Sequence, residues 1–206
     1  MNRTASDGGS LQTDAPVVLV VDDEPGLADL YAAWLGDSYE TRIATGGEEA
    51  LDQLDETVDV VLLDRRMPTL SGDDVLEEIN ARGLGCGVAM VTAVDPDFDI
   101  LDMGFDDYLT KPVSQDDLRS TVESIILRGE YDATLNELYA LSTKRAALRR
   151  QKAPEELAAH AEYQELIDRI EVLKAQSDDL VTDLDTIGTA DVFNQLRSRN
   201  LGVTDG

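Results

Sequence analysis

Val58-Asp59-Val60-Val61-Leu62-Leu63-Asp64, followed by Arg65-Arg66-Met67-Pro68, decides the fold of this 206-residue chain. The four residues before Asp64 are all aliphatic, the pattern of a strand buried on both faces in a parallel sheet covered by helices. Such a strand delivers Asp64 to the carboxyl edge of the sheet, where open α/β folds bind ligands. Taken alone, an aspartate there reads equally well as a cap for the following loop, because aspartate favours turns and helix starts.

Working outward, Val17 to Val21 is a continuous aliphatic run that ends in Asp22-Asp23-Glu24-Pro25, and Leu27, Leu30, Tyr31, Trp34 and Leu35 then recur at helical spacing. Thr41 to Ala44 is a weaker strand, and Glu48 to Leu54 is a short helix opened by Gly46-Gly47. Downstream, Val75, Leu76 and Ile79 mark a helix after Ser71-Gly72, and Val88 to Val91 is a further buried run ending at Thr92. Ile100 and Leu101 lie on a short helix, Asp107 to Lys111 is a short last strand, and Leu118, Val122, Ile125 and Ile126 form a closing helix. Five strands and five helices in alternation predict an α/β fold, a doubly wound five-stranded parallel sheet, because crossovers are right-handed and helices must cover both faces.

Asp22 and Asp23 end the first run, Asp64 the third, Thr92 the fourth and Lys111 the fifth. In a parallel sheet those ends share one edge, so residues far apart in sequence converge there. Carboxylates about 4 Å apart repel by roughly 4 kcal/mol per pair at an effective dielectric of 20, so this set calls for a cation. Oxygen ligands that leave room for water and phosphate suit Mg²⁺ or Mn²⁺ rather than zinc. A carboxylate beyond those needed for the metal can serve as a nucleophile toward a phosphoryl group. The Lys111 ammonium and the Thr92 hydroxyl would then position and neutralise the moving oxygens.

Asp22-Asp23, Leu63-Asp64 with Met67-Pro68 and Gly72, Val91-Thr92-Ala93, and Gly104-Phe105-Asp106-Asp107-Tyr108-Leu109-Thr110-Lys111-Pro112 together resemble the flavodoxin-like receiver domain of two-component response regulators. The resemblance covers residues 16–128. It implies that Asp64 accepts a phosphoryl group from a sensor histidine kinase, while Asp22, Asp23, Asp64 and the backbone carbonyl of Arg66 hold Mg²⁺. It implies further that Lys111 pairs with the phosphoryl group, that the Lys111-Pro112 bond is cis, and that Thr92 and Tyr108 form a switch pair. Such a protein is a phospho-acceptor in signalling rather than an enzyme, although the receiver assists its own phosphotransfer and dephosphorylation. Arg66 and Val94 occupy positions that tune the lifetime of the phosphorylated state in this family, so that lifetime is not legible. An aspartyl-phosphate phosphatase is the rival, but it needs a second aspartate two residues after the first, where Arg66 stands. A nucleotide-binding module is disfavoured because neither GxxxxGK[ST] nor GxGxxG follows any strand.

After Arg128-Gly129-Glu130 strand signals disappear. Leu135, Leu138, Leu141 and Leu148 predict one helix to about Gln151, and Pro154 fits the start of the next. From there Tyr163, Leu166, Ile170, Leu173, Ser177, Leu180, Leu184 and Ile187 alternate spacings of three and four, a heptad seam that Ile167 and Val181 widen. Gly188 is read as its end and Thr189 as the start of a short helix through Val192, Phe193 and Leu196. A receiver followed by helices in an acidic protein is similar to the haloarchaeal HalX-type regulators, which makes residues 130–200 an output or interaction domain that could serve transcription regulation. The seam outlasts a first tail helix of roughly 20 residues, so an uncovered apolar stripe and a homodimer are expected. Lys144, Arg145, Arg149, Arg150 and Lys152 form a basic run that reads either as a solvated face or as a contact for DNA or an acidic partner.

Residues 1–15 are small and polar, expected as a disordered tail without an apolar leader core, and no segment is long enough for membrane insertion. A soluble, cytoplasmic protein is expected. Cys86 is alone and forms no internal disulfide, and His160, the single histidine, lies on an acid-rich helical stretch as a surface residue. Net charge is -26, from 17 basic and 43 acidic side chains, and residues 1–129 carry 28 of those acids. Such a chain repels itself in dilute salt, whereas the Debye length falls to about 3 Å at 1 M, so the composition points to a halophilic interior. The unfolding midpoint should therefore rise between low and molar salt, and a midpoint indifferent to salt in thermal melts would exclude that adaptation.

Overall fold

The computed structural model describes the backbone of residues 15–200, so the expected tail 1–15 lies outside the described residues except for Ala15. Strands β1 (Val17–Val21), β2 (Glu40–Ala44), β3 (Val60–Leu63), β4 (Gly87–Thr92) and β5 (Asp107–Thr110) form one parallel sheet in the order β2-β1-β3-β4-β5. Helices α1 (Pro25–Leu35), α2 (Gly47–Gln53) and α3 (Gly72–Arg82) connect them.

Alternation along each strand divides the core between the two faces. Leu19, Val21, Val61, Leu63, Val88 and Met90 pack with Ala50 of α2 and with Val75, Leu76 and Ile79 of α3. Val18, Val20, Leu62, Ala89 and Val91 pack on the other face with Ala28, Tyr31 and Leu35 of α1. Leu118, Val122 and Ile125, from α4 (Gln115–Gln151), complete that layer. Local chemistry fixes the entry to α3, where Ser71 and Asp74 cap one another, and Gly83 closes it with φ of 65°.

The connection between β4 and β5 holds the expected short helix around Ile100 and Leu101, in 3-10 form. Phe98–Asp102 is a single 3-10 turn, begun by Asp97 accepting from the Phe98 N–H, and it leaves Phe98 and Leu101 exposed. Five residues supply too little apolar surface to hold a longer helix against the sheet.

Gly129, read as the end of the receiver, and Gly188, read as the end of a helix, both lie inside helices. Gly129 sits within α4, which runs unbroken for 37 residues from the sheet into the tail. Gly188 sits within α6 (Ala161–Asn200), so the expected end there, and the separate short helix after it, are replaced by one continuous helix. A mid-helix glycine costs about 1 kcal/mol relative to alanine, which packing along a long helix outweighs. Pro154 does start a helix, but α5 (Pro154–Ala158) is one turn that ends before His160.

The tail is an antiparallel hairpin of α4 and α6, tied by an Arg169–Glu137 ion pair at 2.7 Å. The heptad seam faces inward: Ile170, Leu173 and Leu180 are buried, and Val181, expected to widen it, is 41% exposed. The tail part of α4, from Arg128 to Gln151, spans about 35 Å at 1.5 Å per residue, close to the length of the seam. Outside the buried seam, Val172 and Val181 remain exposed on α6, at 52% and 41%.

Gly72, where α3 leaves the β3 loop, has no room for a side chain. A Cβ there would fall inside contact distance of the Asp64 carbonyl oxygen and the Arg65 Cα, both rigid backbone. Gly72→Ala should destabilise the fold by about 3 kcal/mol, seen as a lower denaturant midpoint at unchanged slope. An unchanged midpoint would show that the loop yields freely.

Candidate functional site

Strand register assembles the site. Val21 of β1 pairs with Leu63 of β3, so the next residues, Asp22 and Asp64, leave adjacent strands at the same level. Asp22 and Asp64 are buried, at 2% and 8% exposure, and Asp23 is half-buried beside them. Carboxylate oxygens of Asp22, Asp23 and Asp64 lie within 4.8 Å of one another.

Lys111, just beyond β5, reaches back over β4. Its Nζ donates to Asp22 Oδ2 at 2.6 Å and to Asp64 Oδ2 at 2.9 Å. Its backbone N–H donates to the Thr92 carbonyl at 2.8 Å, and the Lys111-Pro112 bond is cis. Burial opposes the ammonium charge, but the hydrogen bonds from Asp22 and Asp64, with their charges, outweigh it and raise the Lys111 pKa. The second oxygen of each carboxylate is held by backbone: Glu24 N–H donates to Asp22 Oδ1 at 3.0 Å, and Arg66 N–H to Asp64 Oδ1 at 3.3 Å. Three carboxylates against one ammonium leave an excess of negative charge, and an all-oxygen donor set of this size fits a small hard divalent cation.

The remaining expected residues fall around this centre. Thr92 is buried at the end of β4, its Oγ1 accepting from the Val94 N–H at 3.3 Å. Tyr108 is half-buried, with its ring 5.6 Å from that of Phe105, and donates its hydroxyl to the Val94 carbonyl at 2.8 Å. Arg66 is exposed, so its side chain points away from the buried carboxylates while its backbone remains beside Asp64. Tyr31 was not singled out from sequence. It is 3% exposed on α1, and burial first, then Asp22 and Asp64, raise its pKa against the opposing charge of Lys111. Its place on the inward face of α1, one helix after Asp22-Asp23, was the available signal.

Comparison with known proteins follows the same division. Residues 18–123 match the response regulator receiver domain family, and residues 127–196 match the HalX domain family. A Haloferax volcanii protein that carries the provisional name of a transcriptional regulator is 48% identical over 175 residues, covering 84% of this chain and 30% of that protein. The sensory transduction protein RegX3 of Mycobacterium bovis is 40% identical over 120 residues, covering 56% of this chain and 52% of that one. The chain thus spans about half or less of the length of these curated relatives. Among solved structures, a CheY-like response regulator receiver domain protein from Methanospirillum hungatei aligns with a TM-score of 0.54 at 26% identity, covering 58% of this chain and 99% of that one.

The Lys111 ammonium bridges two buried carboxylates, and its removal should be felt in stability. Lys111→Met should destabilise the chain by about 3 kcal/mol without divalent cation, with part of the loss recovered on adding Mg²⁺. Denaturant unfolding in chelator and in millimolar Mg²⁺ reads both, and equal stability with wild type in chelator would show that the pair contributes nothing.

Proposed function

The chain belongs to the response regulator receiver family and carries a HalX domain after the receiver, and on that footing we propose that it is the phospho-acceptor of a two-component relay, with Asp64 as the acceptor. The observation that supports this most is the Lys111 ammonium bridging the buried carboxylates of Asp22 and Asp64, with Asp23 in reach. In this reading 16–128 is the receiver, and the helical residues 130–200, which share α4 with it, are the output unit.

Asp64 attacks the phosphorus of a phosphohistidine on a sensor kinase. A phosphorus–oxygen bond forms as the phosphorus–nitrogen bond breaks, and the leaving imidazole takes the electron pair and a proton. Asp22, Asp23, Asp64 and the Arg66 carbonyl would hold Mg²⁺ or Mn²⁺, which when bound neutralises charge on the transferring oxygens. Lys111 is already within hydrogen-bonding distance of Asp64, so its ammonium can follow the new phosphoryl oxygen without a large rearrangement. The Arg66 N–H, which donates to Asp64 Oδ1, orients that carboxylate toward the incoming group.

Thr92 and Tyr108 share one latch, since Val94 donates its N–H to Thr92 and accepts the Tyr108 hydroxyl on its carbonyl. A phosphoryl oxygen on Asp64 competes for the Thr92 hydroxyl, which draws the Thr92–Val94 segment toward the site. Tyr108 then loses its acceptor and its ring turns inward. The protein acts by changing its interactions rather than by turnover. Transfer from a kinase's phosphohistidine is consistent with a cytoplasmic protein. No helix among the described residues is long and apolar enough to cross a membrane.

A small phosphodonor with Mg²⁺ should label the chain once, at Asp64. Intact mass measurement checks the stoichiometry, and Asp64→Asn or excess chelator should abolish the label. Label that survives either treatment would place the chemistry elsewhere.

A further inference from the structure

Helix α4 carries apolar side chains that no described residue covers. Its α6-facing side includes Thr134, buried, and Leu138 and Leu141, half-buried, as a hairpin requires. One position round, Leu135 is 37% and Tyr139 76% exposed. Asp132, Leu135, Tyr139, Ser142, Ala146 and Arg149 follow one another at spacings of three or four, so they lie along one side of the helix. A tyrosine three-quarters exposed beside a leucine is more apolar surface than a solvated helix face needs.

We propose that this side of α4 is an interface with a second copy of the same chain, packed antiparallel about a two-fold axis near Ala140. The stripe is complementary to itself when reversed. With Asp132 set opposite Arg149 of the other copy, Leu135 falls opposite Ala146 and Tyr139 opposite Ser142, so each large side chain meets a small one. The two-fold repeats every contact, as an isologous interface must.

Charge along the helix has the same reversed symmetry. Glu130 and Asp132 follow Arg128 in the first half of the tail segment of α4, where Glu137 is held by Arg169 within the chain, and Lys144, Arg145, Arg149 and Arg150 occupy the second. A parallel copy would set like charges together, whereas an antiparallel copy sets acid against base. Asp132, Arg149 and Arg150 are all exposed. This gives the basic run a protein partner of known sequence in a chain whose net charge of -26 would otherwise oppose self-association. The interface needs no phosphorylation and does not rest on the role assigned to Asp64.

Sedimentation equilibrium of the full chain, at salt sufficient for folding and from about 1 to 100 µM, tests it. Wild type should dimerise, and Leu135→Glu with Tyr139→Glu should weaken the dimer at least about tenfold while helix content and melting remain those of wild type. Ala146→Phe should weaken it by crowding Leu135 of the other copy, and Leu135→Ala in the same chain should restore it. A monomer throughout that range overturns the proposal. So does a dimer untouched by the glutamate pair, or an Ala146→Phe loss that Leu135→Ala leaves unrepaired.

Discussion

Carboxylates held within a few ångströms at the end of a dry sheet raise an electrostatic cost that the fold must meet at the same place. Here the answer is one ammonium that arrives from the far side of β4, across a strand that contributes no charge of its own at that level. Much else follows from that arrangement. Lys111 can reach Asp22 and Asp64 only if β5 runs parallel to β1 and β3 and ends at the same edge, as the strand order places it. Its backbone is tied to Thr92, so the residue that supplies the charge is anchored to the residue beside the site. The second carboxylate oxygens are taken by backbone N–H groups of Glu24 and Arg66, which freezes both acids in one orientation. The excess negative charge that remains makes this a cluster that could hold a divalent cation.

The sheet and the site were legible because each strand is a short aliphatic run that stops at a polar residue of distinct chemistry. Asp22, Asp64, Thr92 and Lys111 could be assigned to one edge from that pattern, since parallel strands put all their carboxyl ends together. Less could be read where local and tertiary preferences disagree. Gly129 and Gly188 carry the composition of a helix end, but a glycine costs only about 1 kcal/mol in a helix, and burial of Ile170, Leu173 and Leu180 along the hairpin exceeds that several-fold. The short helix near Ile100 was legible, but nothing in so short a run separated the 3-10 form from the α form. Tyr31 lay among core positions at helical spacing, and nothing in such spacing separates a ring that fills the core from one that also borders the acids.

The seam on α6 shows the same limit at larger scale. Its heptad spacing correctly marks the inward face, with Ile170, Leu173 and Leu180 buried. What spacing could not supply was the length of its partner. With α4 continuous, the centre of the seam is buried within one chain, and exposed apolar surface remains on both helices, at Val172 and Val181 of α6 and around Tyr139 of α4. Surplus apolar surface is thus set by how long each helix is, not only by which residues it carries.

The unbroken passage of α4 from sheet to tail also makes it a lever. Its first turns are clamped in the core by Leu118, Val122 and Ile125, and from Arg128 to Gln151 it extends about 35 Å at 1.5 Å per residue. A pivot of 5° at the clamped end would sweep the far end through about 3 Å by that geometry, more than half a helical turn, with no hinge to dissipate it. Displacements too small to alter the receiver's own packing become large at the hairpin tip, so the gain of the device is set by helix length.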